Sequence, residues 1–287
     1  MPFNAILRIF SVLLVTMIAT HSSPSHFESI YFSFALSHYC MAFFYSKKQI
    51  TQALTHQNFL PLAALVLFGT LMTRYNFPDI FFYFGLHHAI TETYLMSSSK
   101  NLGARNWGPL VMSRFLINIF TYGIILRHDP LMRFLPAPVL ACGFAASFFL
   151  FFYFLLRKQS PLLWPERMNQ CLFEITGIGV ILFSLFSNFT FTQVIFYHFV
   201  LWTFLPLPKI AGEGHRAVLR YSVSTIALMA VFFLLTPAGG NHFNMSQSQL
   251  DRQIVLWGYV HITASFALSS FNPQWIIKWF YISEQKP

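Results

Sequence analysis

Phe84-Gly85-Leu86-His87-His88-Ala89-Ile90-Thr91-Glu92-Thr93-Tyr94-Leu95-Met96 closes an apolar run that opens at Pro78 with Asp-Ile-Phe-Phe-Tyr. The run is long enough for a membrane helix, yet it carries two histidines and a glutamate. Ionisable groups are costly in hydrocarbon, so they face a protein interior and mark function. On a helix His88 and Glu92 are four apart and share a face. His87 leaves the helix about 100° round from His88, so the two cannot point at one spot from a straight helix. The rest of the chain is expected to form a membrane-embedded bundle that brings this helix to other histidine-bearing helices.

Composition supports that frame. The 287 residues are 55% hydrophobic, 19% aromatic and 9% charged, with 36 phenylalanines. Soluble domains carry about 25% charged residues, so an integral membrane protein is indicated. The net charge of +9 does not mark a nucleic-acid partner, because the basic residues are scattered through short inter-helix loops, as the positive-inside rule produces. No loop is long enough for a separate soluble domain, so residues 1–287 read as a single multi-pass domain. Cys40, Cys142 and Cys171 form no C-x-x-C pair, which argues against a disulfide framework or a thiolate metal site. The first apolar run has the look of a signal peptide, but the topology works better if it is kept as a helix.

Ten spans are expected, roughly 4–20, 27–45, 58–75, 78–96, 107–126, 136–156, 169–187, 189–207, 216–236 and 254–272. Turn chemistry separates them: Ser22-Ser23-Pro24, Asn76-Phe77-Pro78, Asn101-Leu102-Gly103, Asp129-Pro130, Pro206-Leu207-Pro208 and Pro237-Ala238-Gly239-Gly240. With the N-terminus inside, thirteen lysines and arginines, Arg8 among them, fall on the cytoplasmic side and four fall outside. That bias predicts both termini cytoplasmic, and the plasma membrane is the expected location. The fold class is all-α, a polytopic bundle of nine or ten transmembrane helices with membrane lipid as its surroundings.

The second, fourth, eighth and tenth spans all run the same way. They carry His38, His87 with His88, His198 and His261, each within roughly 6 Å of mid-membrane. Neutral imidazole is a common metal ligand and suits iron, zinc or copper. His38, His88, His198 and His261 are the candidate metal ligands, and His87 is expected to diverge from them. Glu92 and Tyr94 are candidate catalytic residues. Glu92 would ligate the metal, orient a ligand by accepting its N–H, or pair with Arg114. A second layer, Glu92, Arg114 and Glu174, lies nearer the cytoplasm and is expected to form a buried ion-pair triad. Tyrosines beside histidines, such as Tyr197 next to His198, point to other faces and read as incidental. Trp202, one turn from His198, walls a cavity or packs against lipid.

The same residues fit helix–helix hydrogen bonding or a proton relay. No H-x-x-H, H-x-x-x-H or H-E-x-x-H spacing settles the choice. No span holds a lysine for a Schiff base. There is no P-loop, no G-x-S-x-G and no acidic cluster for Mg²⁺.

Gly85-Leu86-His87-His88-Ala89 followed by Glu92 resembles the Gly-Leu-Pro-His-Gly…Asp stretch of the Brp/Blh-type membrane carotenoid cleavage dioxygenases. Those are small all-helical proteins that split β-carotene at an iron held by membrane-embedded histidines. The resemblance covers a dozen residues and implies that His88 is an iron ligand. It departs at His87, where the family has proline, at Ala89, where it has glycine, and around Glu92, where it has aspartate. The family's later helix bears two histidines four apart, whereas His198 is followed by Trp202.

The expected function is an intramembrane metal-dependent oxidoreductase, with non-haem iron, acting on a hydrophobic small molecule such as a carotenoid. Two other classes stay open. One is a transporter or proton channel that uses the mid-membrane histidines and Glu92. The other is a haem-binding electron-transfer protein.

Overall fold

The computed structural model describes residues 3–45, 79–96, 107–128, 135–158, 160, 162–184, 186, 189–242 and 245–268, with isolated positions between 51 and 71. All regular structure among these residues is helical. The helices are α1 (Phe3–His21), α2 (Pro24–Tyr45), α3 (Asp79–Met96), α4 (Gly108–Ile125) and α5 (Ala137–Leu156). They continue as α6 (Trp164–Phe183), α7 (Phe191–Phe204), the short α8 (Leu207–Ala211), α9 (His215–Leu234) and α10 (Gln247–Leu268). The expected third span, 58–75, lies outside the described residues apart from isolated positions.

Local chemistry sets the ends. α2 starts at Pro24, whose missing N–H costs nothing at a first turn, and the Ser23 hydroxyl accepts from the His26 N–H at 3.4 Å. Glu166 turns back to accept the Leu163 N–H at 2.8 Å, which opens α6 with a polar turn. Gln193 does the same for Thr190 at the start of α7. α7 stops at Phe204 because Pro206 has no N–H to continue the ladder. Gly214, with φ at 102°, supplies the left-handed conformation that precedes α9.

Two spans differ in position from the sequence expectation. α6 and α10 begin at Trp164 and Gln247, five and seven residues before the expected starts. Their first two turns hold Glu166 and Arg167 in α6 and Asp251 and Arg252 in α10, which apolar length does not register but which suit an interface.

Among the described residues, five helices are long and apolar enough to cross a membrane: α1, α4, α5, the α7–α8 stretch and α9. The outer surface fits that role. Phe149 and Tyr153 on α5 are exposed, as are Leu219, Val223, Ile226 and Val231 on α9. Apolar surface of this extent belongs against lipid, so the chain is a membrane protein.

Inside, the apolar packing divides into two cores. The first is built around α3, α4 and α5 from Phe81, Phe84, Leu110, Ile117, Phe151 and Leu155. The second is built around α1, α2, α7 and α10 from Leu7, Tyr31, Leu36, Phe196, Phe199 and Leu250. α2 and α7 run in the same direction, with contacts advancing from Phe27–Phe196 to His38–Phe199. α3 and α7 do too, from Phe81–Phe191 to His87–His198. Arg127 ties the C-terminal ends of α4 and α6 together, donating to the Ser184 carbonyl at 2.6 Å. The polar residues of the interior collect where the two cores meet.

Candidate metal centre

His38 of α2, His198 of α7 and His261 of α10 converge. One ring nitrogen from each lies within 4.8 Å of the other two. His38 Nε2 is 3.3 Å from His261 Nε2. The ring centroids of His38 are 4.7 Å from those of His261 and 5.5 Å from those of His198. Shared depth on parallel helices brings them together, as the sequence suggests.

α3 contributes His87 to this cluster. His87 Nε2 is 3.4 Å from His198 Nε2, and its ring lies 5.6 Å from that of His261. The expectation that His87 diverges is therefore corrected. The sequence shows that adjacent histidines point about 100° apart, but not which one faces α7.

His88 faces the other way. Its Nδ1 is hydrogen bonded to the Tyr122 hydroxyl of α4. Its Nε2 sits 3.3 Å from Glu92 Oε1, out of line for a hydrogen bond. Its ring still touches the cluster edge, 5.9 Å from His198. Trp202 packs 6.1 Å from the His198 ring, one wall of the cluster. His198 Nδ1 is buried without a hydrogen-bond partner among the described residues. Tyr94 lies in α3, but its side chain falls outside the described residues.

Beside the histidines runs a buried charged network. Arg8 of α1 donates to Glu92 Oε2 through Nη2 and to Gln170 Oε1 through Nη1, the latter at 2.7 Å. Tyr197 of α7 donates to Glu92 Oε1 at 2.9 Å. Gln170 and Arg114 both donate to Glu174 Oε1. Arg8 also lies flat over Phe173, its Cζ 3.5 Å from the ring centroid.

The expected triad therefore divides. Arg114 pairs with Glu174, while the cation on Glu92 is Arg8. In the sequence Arg8 reads as a cytoplasmic-rim residue because it lies near the start of an apolar run. The signal was present: α1 carries a lone arginine flanked by Ile and Leu, which needs a partner as much as Arg114 does. Tyr197 was read as incidental beside His198, and Tyr122 and Gln170 gave no sign of their roles.

The arrangement offers two chemistries. Four imidazoles in two close nitrogen pairs can share N–H···N hydrogen bonds, or His38, His198 and His261 can converge on one cation. Two arginines balance two carboxylates in the network, so it is neutral and tolerable in a dry interior.

Fold and site define a class: an all-helical membrane bundle with a histidine cluster and a charged network between two apolar cores. Compared with family models, with curated proteins and with solved structures, the chain has no match.

Proposed function

We propose that the chain is an intramembrane metal-dependent oxidoreductase. In this reading His38, His198 and His261 hold a transition-metal ion, non-haem iron foremost, with His87 next to His198 as a further ligand, and the substrate is lipid-soluble, such as a carotenoid. The observation that carries it is the spacing of the nitrogens. Metal–nitrogen bonds of about 2.0–2.1 Å at tetrahedral angles leave neighbouring nitrogens about 3.3–3.4 Å apart. The two closest pairs here are 3.3 and 3.4 Å apart. A set of neutral imidazoles suits iron, zinc or copper.

When bound, such an ion supplies redox and Lewis-acid chemistry to a molecule that reaches it. The chain's own residues do the rest. Phe84, Phe199 and Trp202 pack against the imidazoles and exclude water. His88 fills the space between the cluster and Glu92, with its Nδ1 committed to Tyr122. A substrate dissolved in the bilayer arrives by lateral diffusion, which the resemblance to carotenoid cleavage proteins also suggests. The crowding of the rings, with centroids 4.7–6.5 Å apart, favours one ion over a porphyrin. The charge bias of the loops favours a plasma-membrane orientation with both ends cytoplasmic.

Elemental analysis of the detergent-purified chain, with an optical spectrum, tests the reading. A first-row metal should co-purify in stoichiometric amount and be lost in His198→Ala. If the parent neither carries nor binds such a metal, the enzyme reading is wrong, and the histidines serve as hydrogen-bonded glue or an ion relay.

A further inference from the structure

Glu92 is held from two helices at once. Arg8 reaches its Oε2 from α1, and Tyr197 reaches its Oε1 from α7. α1 lies along α7, with Phe10 and Phe204 rings 6.0 Å apart, so both donors approach from the same side. The Arg8 and Glu92 side chains are 2% and 0% exposed. A pair this deeply buried contributes little net stability compared with apolar residues of the same volume. The best-attested use of such a pair is to fix register.

Register is what the histidines need. α3 and α7 meet through long side chains, at the Glu92–Tyr197 bond and at the His87–His198 contact. On α7 the two contacts come from consecutive residues. Sliding α7 by one residue along α3 shifts it by about 1.5 Å. That is enough to take two nitrogens now 3.4 Å apart beyond hydrogen-bond reach and to distort any site they share.

We propose that Arg8 is a positioning residue for the histidine cluster. By anchoring the Glu92 carboxylate, it fixes the offset between α3 and α7 at which His87 faces His198. The proposal rests on the histidine cluster as the working site, but the geometry it fixes exists without metal. Arg8 hydrogen bonds to Glu92 and Gln170 rather than to an imidazole, and acts through Glu92.

The test uses the full chain in detergent, with two readouts. The first is the N–H···N proton of the His87–His198 contact in metal-free protein. It is observed by selective ¹⁵N-histidine labelling and assigned by its loss in His87→Gln. The second is Co²⁺ affinity with its d–d spectrum. Arg8→Met should abolish the proton signal, weaken Co²⁺ binding at least tenfold and alter the d–d bands. Arg8→Lys should retain all three. Arg8→Met/Glu92→Leu, which removes both charges, should fold well yet still lack the signal and the affinity. If Arg8→Met or the double variant keeps the proton and binds Co²⁺ like the parent, Arg8 is only an anchor for α1 and the proposal is overturned. It is also overturned if the parent shows no such proton. A parent that shows the proton but binds no Co²⁺ overturns the metal reading instead, and the proton signal in Arg8→Met then decides the positioning role.

Discussion

Replacing Arg114 by methionine isolates the second ion pair. Arg114 of α4 is 6% exposed and donates to Glu174 of α6. Its guanidinium carbon lies 5.6 Å from the Phe151 ring and 5.8 Å from the Phe173 ring. Methionine fills much of the same space but leaves the Glu174 carboxylate among apolar rings, with the Gln170 amide as its remaining donor. Removing one partner of a buried pair costs about 3–5 kcal/mol. Because Gln170 stays, we expect the low end, about 3 kcal/mol, or roughly a hundredfold in the folding equilibrium. Arg114→Met/Glu174→Leu also removes the stranded charge. It should return to within about 1 kcal/mol of the parent, the residual being the acceptor that Gln170 loses. Unfolding from mild detergent with increasing SDS, followed by circular dichroism, measures all three variants. If Arg114→Met unfolds at the parental SDS fraction, or the double variant is no better than the single one, the pair does not behave as a dry ion pair.

Other outcomes follow from the same geometry. His38→Ala, His198→Ala and His261→Ala should each abolish metal retention measured by elemental analysis, whereas His88→Ala should weaken it by no more than about 10–100-fold, the range for a neighbouring orienting group. Tyr122→Phe strands His88 Nδ1 and should cost about 1–3 kcal/mol in the SDS assay. A Cβ on Gly143 would lie 2.2 Å from Phe120 Cε1, whereas one on Gly177 meets nothing within 4 Å. Gly143→Ala should therefore cost about 1–3 kcal/mol, and Gly177→Ala no more than about 0.5 kcal/mol. Reporter fusions after residues 100 and 240 should report opposite sides of the membrane, and a common side would refute the ten-span topology.

Much of this bundle is legible in the sequence because lipid imposes a length and an apolar composition on every span. The breaks at Ser23-Pro24, Pro206 and Pro237 sit where proline and serine chemistry puts them. The polar opening turns of α6 and α10 are not legible that way, since Glu166 and, one turn further in, Asp251 lower the apolar signal while their helices continue. His38, His198 and His261 could be grouped because equal depth on parallel helices is a one-dimensional property. Choosing His87 over His88 needs the rotation of α3 about its own axis, which packing against α4 and α10 decides. Glu92 shows the same limit. Its depth matched that of Arg114, but its partner is set by α1 lying along α7, a neighbour relation that no spacing encodes.

The division into two cores also bears on how the chain is made. α3, α4 and α5 supply most of one core, which Val194 of α7 and Ile262 of α10 complete, whereas the other waits for α1 and α2 to be joined by α7 and α10. His38 meets a partner 223 residues further along. Synthesis is vectorial, so for most of translation His38 has no His261 in the bilayer, and Arg8 has no carboxylate until α3 brings Glu92. A ribosome that stops short of α10 releases a chain whose cores lack Ile262 in one and Leu250 and Ile254 in the other, with His38 left without His261. Such a product is inserted yet has exposed intramembrane polarity, and chaperones and proteases triage chains of that kind.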